Sequence, residues 1–422
     1  MTAPGADAPV VTVGPPAHGG HCVARLDDGR VAFVRHALPG ERVRLRITEQ
    51  RSKYWRADAV EVLEASADRV ESPWPEAGPG GVGGGELAHV ALGAQRGWKT
   101  QVLADTLRRI GGEQVADDVA AVAGTVPVEG LPGDDESRGL GTRTRIDLTV
   151  DAQGVAGMHR FRSHDVVALR EMPLADEALL ALELLGESSP WRRAWRPGSR
   201  VEAVAPSVGE PMVLVDGEPV TLRRRSGPPR RSVRERVTSP VGDLDYRVSA
   251  AGFWQVHRRA PATLVEAVLG AAAPAAGQRV LELFSGAGLL TLPLARVVGE
   301  EGSVVSLEGA DAAVRDARRN LHDHPAVRLG AGRVDAAAVR EIGPGSDIVV
   351  LDPPRVGAGK EVMAAVAGVG AETIVHVACD PAALARDLRA AREHGYVVRT
   401  IKAFDLFPHT HHFEVVAALG RA

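Results

Sequence analysis

The C-terminal third predicts a doubly wound, mostly parallel α/β sheet, joined to a small N-terminal β-barrel and a central α+β region. Three observations carry this reading. Apolar runs ending in acidic or small polar residues alternate with helical stretches between residues 279 and 419, as all-buried parallel strands do. Short alternating strands between Gly and Pro turns fill residues 10–63, the pattern of a small barrel. Between them, strand-like alternation resumes from about residue 143 to 249.

In the barrel segment, Gly20 to Leu26, Arg30 to Val34 and Arg42 to Ile47 read as strands, separated by Asp28-Gly29 and Pro39-Gly40. Arg42, Arg44 and Arg46 alternate with Val43, Leu45 and Ile47, so one strand face presents three guanidinium groups, suited to phosphate or simply to solvent. Residues 76–85, Glu-Ala-Gly-Pro-Gly-Gly-Val-Gly-Gly-Gly, suit a linker or a tight loop. Helical periodicity follows over residues 95–110 and again over 175–185. A basic loop within residues 223–236 carries Arg224, Arg230 and Arg231 around Gly227-Pro228-Pro229 and is read as an RNA contact. The expected division is a barrel over 1–66, a central region over 67–250 and the α/β domain over 251–422.

The 422 residues are too many for one compact module at about 150 residues per domain. No apolar run approaches the roughly 20 residues of a membrane span, and the first residues lack a signal-peptide pattern, so a cytoplasmic protein is expected. Two cysteines, Cys22 and Cys379, cannot build a disulfide framework or a four-cysteine metal site. A net charge of -4 means that nucleic-acid binding needs a local basic face. Arginine abundance is discounted, because lysine occurs only at positions 53, 99, 360 and 402 and the bias follows composition.

The chemistry-bearing residues sit at predicted strand ends, where doubly wound sheets bind ligands. The first strand runs into Phe284-Ser285-Gly286-Ala287-Gly288, a turn that lets a ligand approach the backbone. The next ends in Glu308, a carboxylate suited to ribose hydroxyls. Together they indicate an adenosine pocket, for a dinucleotide or for S-adenosylmethionine; the missing third glycine disfavours a nicotinamide cofactor. The third strand stops at Asp352-Pro353-Pro354-Arg355, which holds Asp352 at the tip. The fourth ends in Cys379-Asp380-Pro381, before a helix whose N-terminus should favour a thiolate; the competing reading is a buried structural thiol. His409, His411 and His412 lie in one short run, which lacks the scaffold a catalytic metal needs, and no metal is expected. Glu414 opens the last strand as a surface carboxylate or a base.

Four ordered motifs resemble the RNA uracil-C5 methyltransferases that use S-adenosylmethionine: Phe284-Ser285-Gly286-Ala287-Gly288, Asp352-Pro353-Pro354-Arg355, Ala378-Cys379-Asp380-Pro381 with Leu384-Ala385-Arg386-Asp387-Leu388, and Phe407-Pro408-His409-Thr410-His411-His412-Phe413-Glu414. The barrel resembles a TRAM (OB-like) RNA-binding domain through Gly29 to Val34 and Leu38 to Val43. The resemblance implies a class I methyltransferase-like sheet, Cys379 as nucleophile, Glu414 as base, and Gln255, Phe284, Gly286, Gly288, Glu308 and Asp352 around the methyl donor. It implies an RNA substrate, rRNA before tRNA, with no membrane and no obligate protein partner. An inactive RNA-binding or assembly factor is the alternative.

Three departures accompany the match. Many relatives hold an iron–sulfur cluster on four cysteines, but Val82, Gly83, Gly84, Gly85 and Met172 stand in the corresponding stretches here, so no cluster is expected. Leu289 follows the glycine turn where an Asn is frequent. Asp380 replaces the Asn usual after the nucleophile.

Overall fold

A computed structural model describes residues 8–222 and 229–422. Five strands, Val10–Ala17, His21–Arg25, Val31–Arg35, Arg42–Gln50 and Tyr54–Glu64, close into a barrel. Closure comes from Val10–Ala17 pairing antiparallel with Arg42–Gln50, and Val31–Arg35 pairs parallel with Tyr54–Glu64. Period-two alternation turns Val11, Val13, Cys22, Val34, Val43 and Leu45 inward, so Cys22 is a fully buried core residue.

The central region builds an antiparallel sheet of six strands from residues 145–220 and a two-stranded ribbon, Ser232–Ser239 with Gly242–Ser249. The glycine-rich stretch is a tight packed loop, not a free linker. Val82 is fully buried, and a side chain at Gly81 would sit 2.0 Å from the Glu76 carbonyl oxygen. The helix expected over 95–110 spans Leu92–Thr106 and ends in a wider turn, Leu107–Gly111. The helix expected over 175–185 is reduced to one turn, Glu177–Leu180. Glu183 adopts φ +54°, which ends helical geometry and folds Leu179 and Leu184 into one core with Trp191.

The C-terminal sheet has eight strands in the order Val327–Ala331, Ser303–Glu308, Arg279–Leu283, Ile348–Leu351, Thr373–Ala378, Glu414–Arg421, Tyr396–Phe404, Val128–Glu129. The first five are mutually parallel, and Glu414–Arg421 runs antiparallel to both of its neighbours. The short edge strand Val128–Glu129 comes from the central region and pairs with Ala403 and Phe404. Strand order reverses between Arg279–Leu283 and Ile348–Leu351, which makes the gap beyond their carboxyl ends the expected ligand crevice.

Candidate active site

Strand register gathers the candidate residues. Leu283 pairs with Leu307 on one side and Leu351 on the other, so Phe284, Glu308 and Asp352 all follow one step after that paired row, at the carboxyl ends of their strands beside the reversal point. Ala378 pairs with Val415 in the antiparallel register, which sets the next positions, Cys379 and Glu414, across from each other. Nucleophile and base candidates from strands 35 residues apart in sequence therefore share one strand-end level.

The electrostatics of this pair correct one expectation. A helix N-terminus should favour the Cys379 thiolate, but the thiol is pushed up to about 12, first by burial and then by the carboxyls of Glu414 and Asp352, with Arg355 opposing. The dipole term is worth at most about 2 kcal/mol, roughly 1.5 pH units, and is outweighed. It is also already engaged, because the Asp380 side chain accepts from the Ala383 amide at 2.8 Å and so occupies the helix end itself. Burial raises Glu414 well above the ordinary carboxylate range, reinforced by Asp352. Burial lifts Asp352 to about 6 against the opposing pull of His376.

Beneath Cys379, the Leu-Ala-Arg-Asp-Leu motif has a structural purpose. Asp387 accepts from the amides of Ala358 at 2.8 Å and Gly359 at 3.0 Å, and its Oδ2 lies 3.0 Å from His376 Nε2, with both side chains buried. The loop after Asp352-Pro353-Pro354-Arg355 is thereby tied to the strand that carries Cys379. On the other side, residues 405–413, which deliver Glu414, are held by a helix more than 300 residues away. Gln95 Oε1 accepts from the His409 amide at 2.8 Å, and Lys99 Nζ donates to Asp405 Oδ1 at 2.5 Å and to the Phe407 carbonyl at 3.1 Å. Lys99 and Asp405 are both fully buried.

Sequence reasoning missed Gln95, Lys99, His376 and Asp387 as supports. Its one available signal was the rarity of lysine. It also missed His18, on the first barrel hairpin, whose Nε2 lies 3.1 Å from Asp380 Oδ2. Burial raises Asp380, but the His18 contact and the Ala383 amide outweigh it, and its carboxyl stays below the usual range.

The glycine turn fits the adenosine part of a methyl donor. Phe284 adopts φ +63°, Gly286 φ +57° and Gly288 φ +92°, and no atom lies within 4 Å of where a Gly286 side chain would start, which leaves open space against the backbone. Glu308 braces the turn by accepting from the Gly286 amide at 2.9 Å and from the Ala310 amide at 2.6 Å. The Ser285 hydroxyl is buried without a partner. Gln255 is buried in a segment fixed on both sides: Thr144 donates to the Val256 carbonyl, and His257 Nε2 lies 3.0 Å from Asp134.

Comparison with known proteins agrees with this geometry. A TRAM domain model matches residues 10–60, and a tRNA (uracil-5-)-methyltransferase model matches residues 344–422. A protein-L-isoaspartate(D-aspartate) O-methyltransferase model matches residues 261–338, which include the glycine turn. An uncharacterized RNA methyltransferase of Streptomyces avermitilis is 43% identical over 98% of each chain. The 23S rRNA (uracil(1939)-C(5))-methyltransferase RlmD of Alkalilimnicola ehrlichii is 33% identical over 96% of this chain and 94% of its own. The chain belongs to the S-adenosylmethionine-dependent RNA uracil-C5 methyltransferase family. The fold is shared with the Pyrococcus abyssi tRNA (uracil-54, C5)-methyltransferase solved with S-adenosyl-L-homocysteine, at TM-score 0.68 and 22% identity over 97% of this chain and all of that one.

Where cysteine-bearing relatives in this family place an iron–sulfur cluster, the residues of this chain do not fit one. Val82 and Met172 are buried in a single apolar cluster with Trp74 and Ala77. A side chain on Gly85 would start 2.7 Å from Ala77 Cβ and 3.0 Å from the Trp74 ring, so the tryptophan fills the space. Among the described residues, no group of three or more His, Cys, Asp or Glu side chains is arranged to hold a metal ion, and no helix is long and apolar enough to cross a membrane.

The arginines named from sequence are spread out. Arg42, Arg44 and Arg46 share a face, but each engages a carboxylate of the next strand: Glu64, Glu61 and Asp58. Arg230 donates to the Glu210 carbonyl and Arg231 pairs with Glu218 at the edge of the central sheet. Arg224 lies outside the described residues.

Proposed function

We propose that this protein transfers a methyl group from S-adenosylmethionine to C5 of a uridine in 23S rRNA through a covalent Cys379 intermediate. The observation that carries the reading is the strand register that sets Cys379 and Glu414 side by side at the mouth of the crevice. The rRNA preference is supported by the likeness to RlmD over nearly the full length of both chains. The turn from Phe284 to Gly288, with Glu308 at the ribose and Gln255 and Asp352 towards the methionine, would hold the donor, which supplies an electrophilic methyl group.

Uracil C5 is a poor carbon nucleophile, and the residues overcome this in sequence. The Cys379 sulfur bonds to C6 and sends the C5–C6 π pair into an enolate. Its proton leaves to solvent and is regained when the sulfur is expelled. C5 then bonds the methyl carbon as the methyl–sulfur bond of the donor breaks. Glu414 takes the C5 proton, and the C5–H electron pair re-forms the double bond and expels the Cys379 sulfur. One proton is released overall.

Wild-type protein, labelled donor and bulk RNA from cells lacking the gene should yield 5-methyluridine at one 23S position, and Cys379→Ala should give none. Undiminished methylation by Cys379→Ala contradicts the covalent step. Label confined to tRNA contradicts the substrate.

A further inference from the structure

A cleft of about 1170 Å³ lies outside the crevice, between the barrel, the tip of the hairpin formed by Ala156–His159 and Val166–Ala168, and the end of the helix Leu92–Thr106. It exceeds the roughly 300–1,000 Å³ of small-molecule sites, which suits an extended ligand. Six arginines line it against three carboxylates. Most of those arginines are neutralised within the protein: Arg46 by Asp58, Arg56 and Arg162 by Glu49, Arg109 by Asp105.

Arg35 differs. It is 91% buried by its 9% exposure, its guanidinium lies flat on the Phe161 ring at 3.4 Å, and its Nε has no hydrogen-bond partner; among the described residues it forms no ion pair. Asp58, opposite it on the paired strand, and Glu86 attract it from beyond ion-pair distance, so an anion in direct contact would offset the cost of burying the charge. Beside it, Phe33 and Tyr54 form an edge-to-face aromatic ledge, with ring centroids 5.4 Å apart, on the same wall.

The cleft borders residues that adjoin Cys379 and Glu414. Its lining includes His18, which contacts Asp380 next to the nucleophile, and His411, three positions before Glu414. We propose that this cleft binds the unpaired RNA strand contiguous with the target uridine, with a phosphate on Arg35 and a base stacked on the Phe33–Tyr54 ledge. The inference rests on the RNA-methyltransferase reading above and adds to it the place where flanking nucleotides are held. Arginine for phosphate and aromatic rings for bases is the combination single-stranded binding uses.

The test uses full-length protein and a fluorescein-labelled 12-nucleotide oligouridylate, with a 12-base-pair RNA duplex for comparison. Arg35→Met should weaken single-strand binding about tenfold and lower the slope of log affinity against log salt by about 0.7, as loss of one phosphate contact does. Tyr54→Ala should weaken it about tenfold with the salt slope unchanged, and Tyr54→Phe should restore it. Both weakened variants should raise KM for bulk RNA more than they lower kcat. Arg35→Met should melt close to wild type, because it removes a buried charge whose carboxylates, Asp58 and Glu86, lie beyond ion-pair distance. Wild-type affinity and KM in both variants overturn the proposal, as does a lower melting temperature in Arg35→Met with RNA binding intact, which makes Arg35 structural. Tighter binding of the duplex by wild type also overturns it. Wild type that methylates no uridine contradicts the enzymatic reading instead, so the two failures separate.

Discussion

The Cys379 thiol is held in protonated form. Burial and two neighbouring carboxyls push the thiol up to about 12, against about 8.5 for a free cysteine, so at pH 8 the thiolate is a small minority. A higher pKa makes the thiolate itself more reactive, which returns part of the loss. Iodoacetamide should therefore alkylate Cys379 of the RNA-free protein at pH 8 roughly 10²-fold more slowly than a free thiol, with the rate rising about tenfold per pH unit through pH 10. Peptide mass spectrometry identifies the site, and Cys22, fully buried in the barrel, should stay unmodified. A rate that levels off below pH 9 contradicts this environment.

At the scale of elements, the loop of residues 405–413 is positioned by a buried ion pair rather than by its own sequence. Breaking such a pair leaves an uncompensated charge in the interior. Lys99→Met should cost about 3–5 kcal/mol in urea unfolding, and the double variant Lys99→Met/Asp405→Leu should recover most of it. A single variant within about 1 kcal/mol of wild type contradicts the anchoring role. This pair also shows where sequence stops being legible. The strand ends at Phe284, Glu308, Asp352 and Cys379 could be read directly, because fully buried parallel strands are apolar runs that end where polarity returns. Lys99 and Asp405 are 306 positions apart, and nothing local to either announces the other. The thiol's direction was misread for a related reason. The burial of Cys379 and the approach of Glu414 and Asp352, which push the thiol up, appear only in three dimensions. Residues 175–185 have helical periodicity, yet the positive φ of Glu183 serves the packing of Trp191 and breaks the run.

At the scale of the molecule, three units converge on one strand-end level. The barrel touches Asp380 through His18, the central region holds the loop before Glu414 through Gln95 and Lys99, and the sheet carries Cys379 and Glu414. An apolar cluster of Trp74, Ala77, Val82 and Met172 occupies the region where many relatives carry cluster-binding cysteines. The account stands or falls on the sulfur–carbon bond. RNA containing 5-fluorouridine at the target position carries fluorine where Glu414 would remove a proton, so the methylated adduct cannot resolve. With S-adenosylmethionine present, wild-type protein should form a denaturation-resistant complex with that RNA, the nucleotide attached at Cys379 and the complex absent from Cys379→Ala. Failure of wild type to be trapped on an RNA that it methylates in the unfluorinated form, or trapping that persists in Cys379→Ala, contradicts the mechanism.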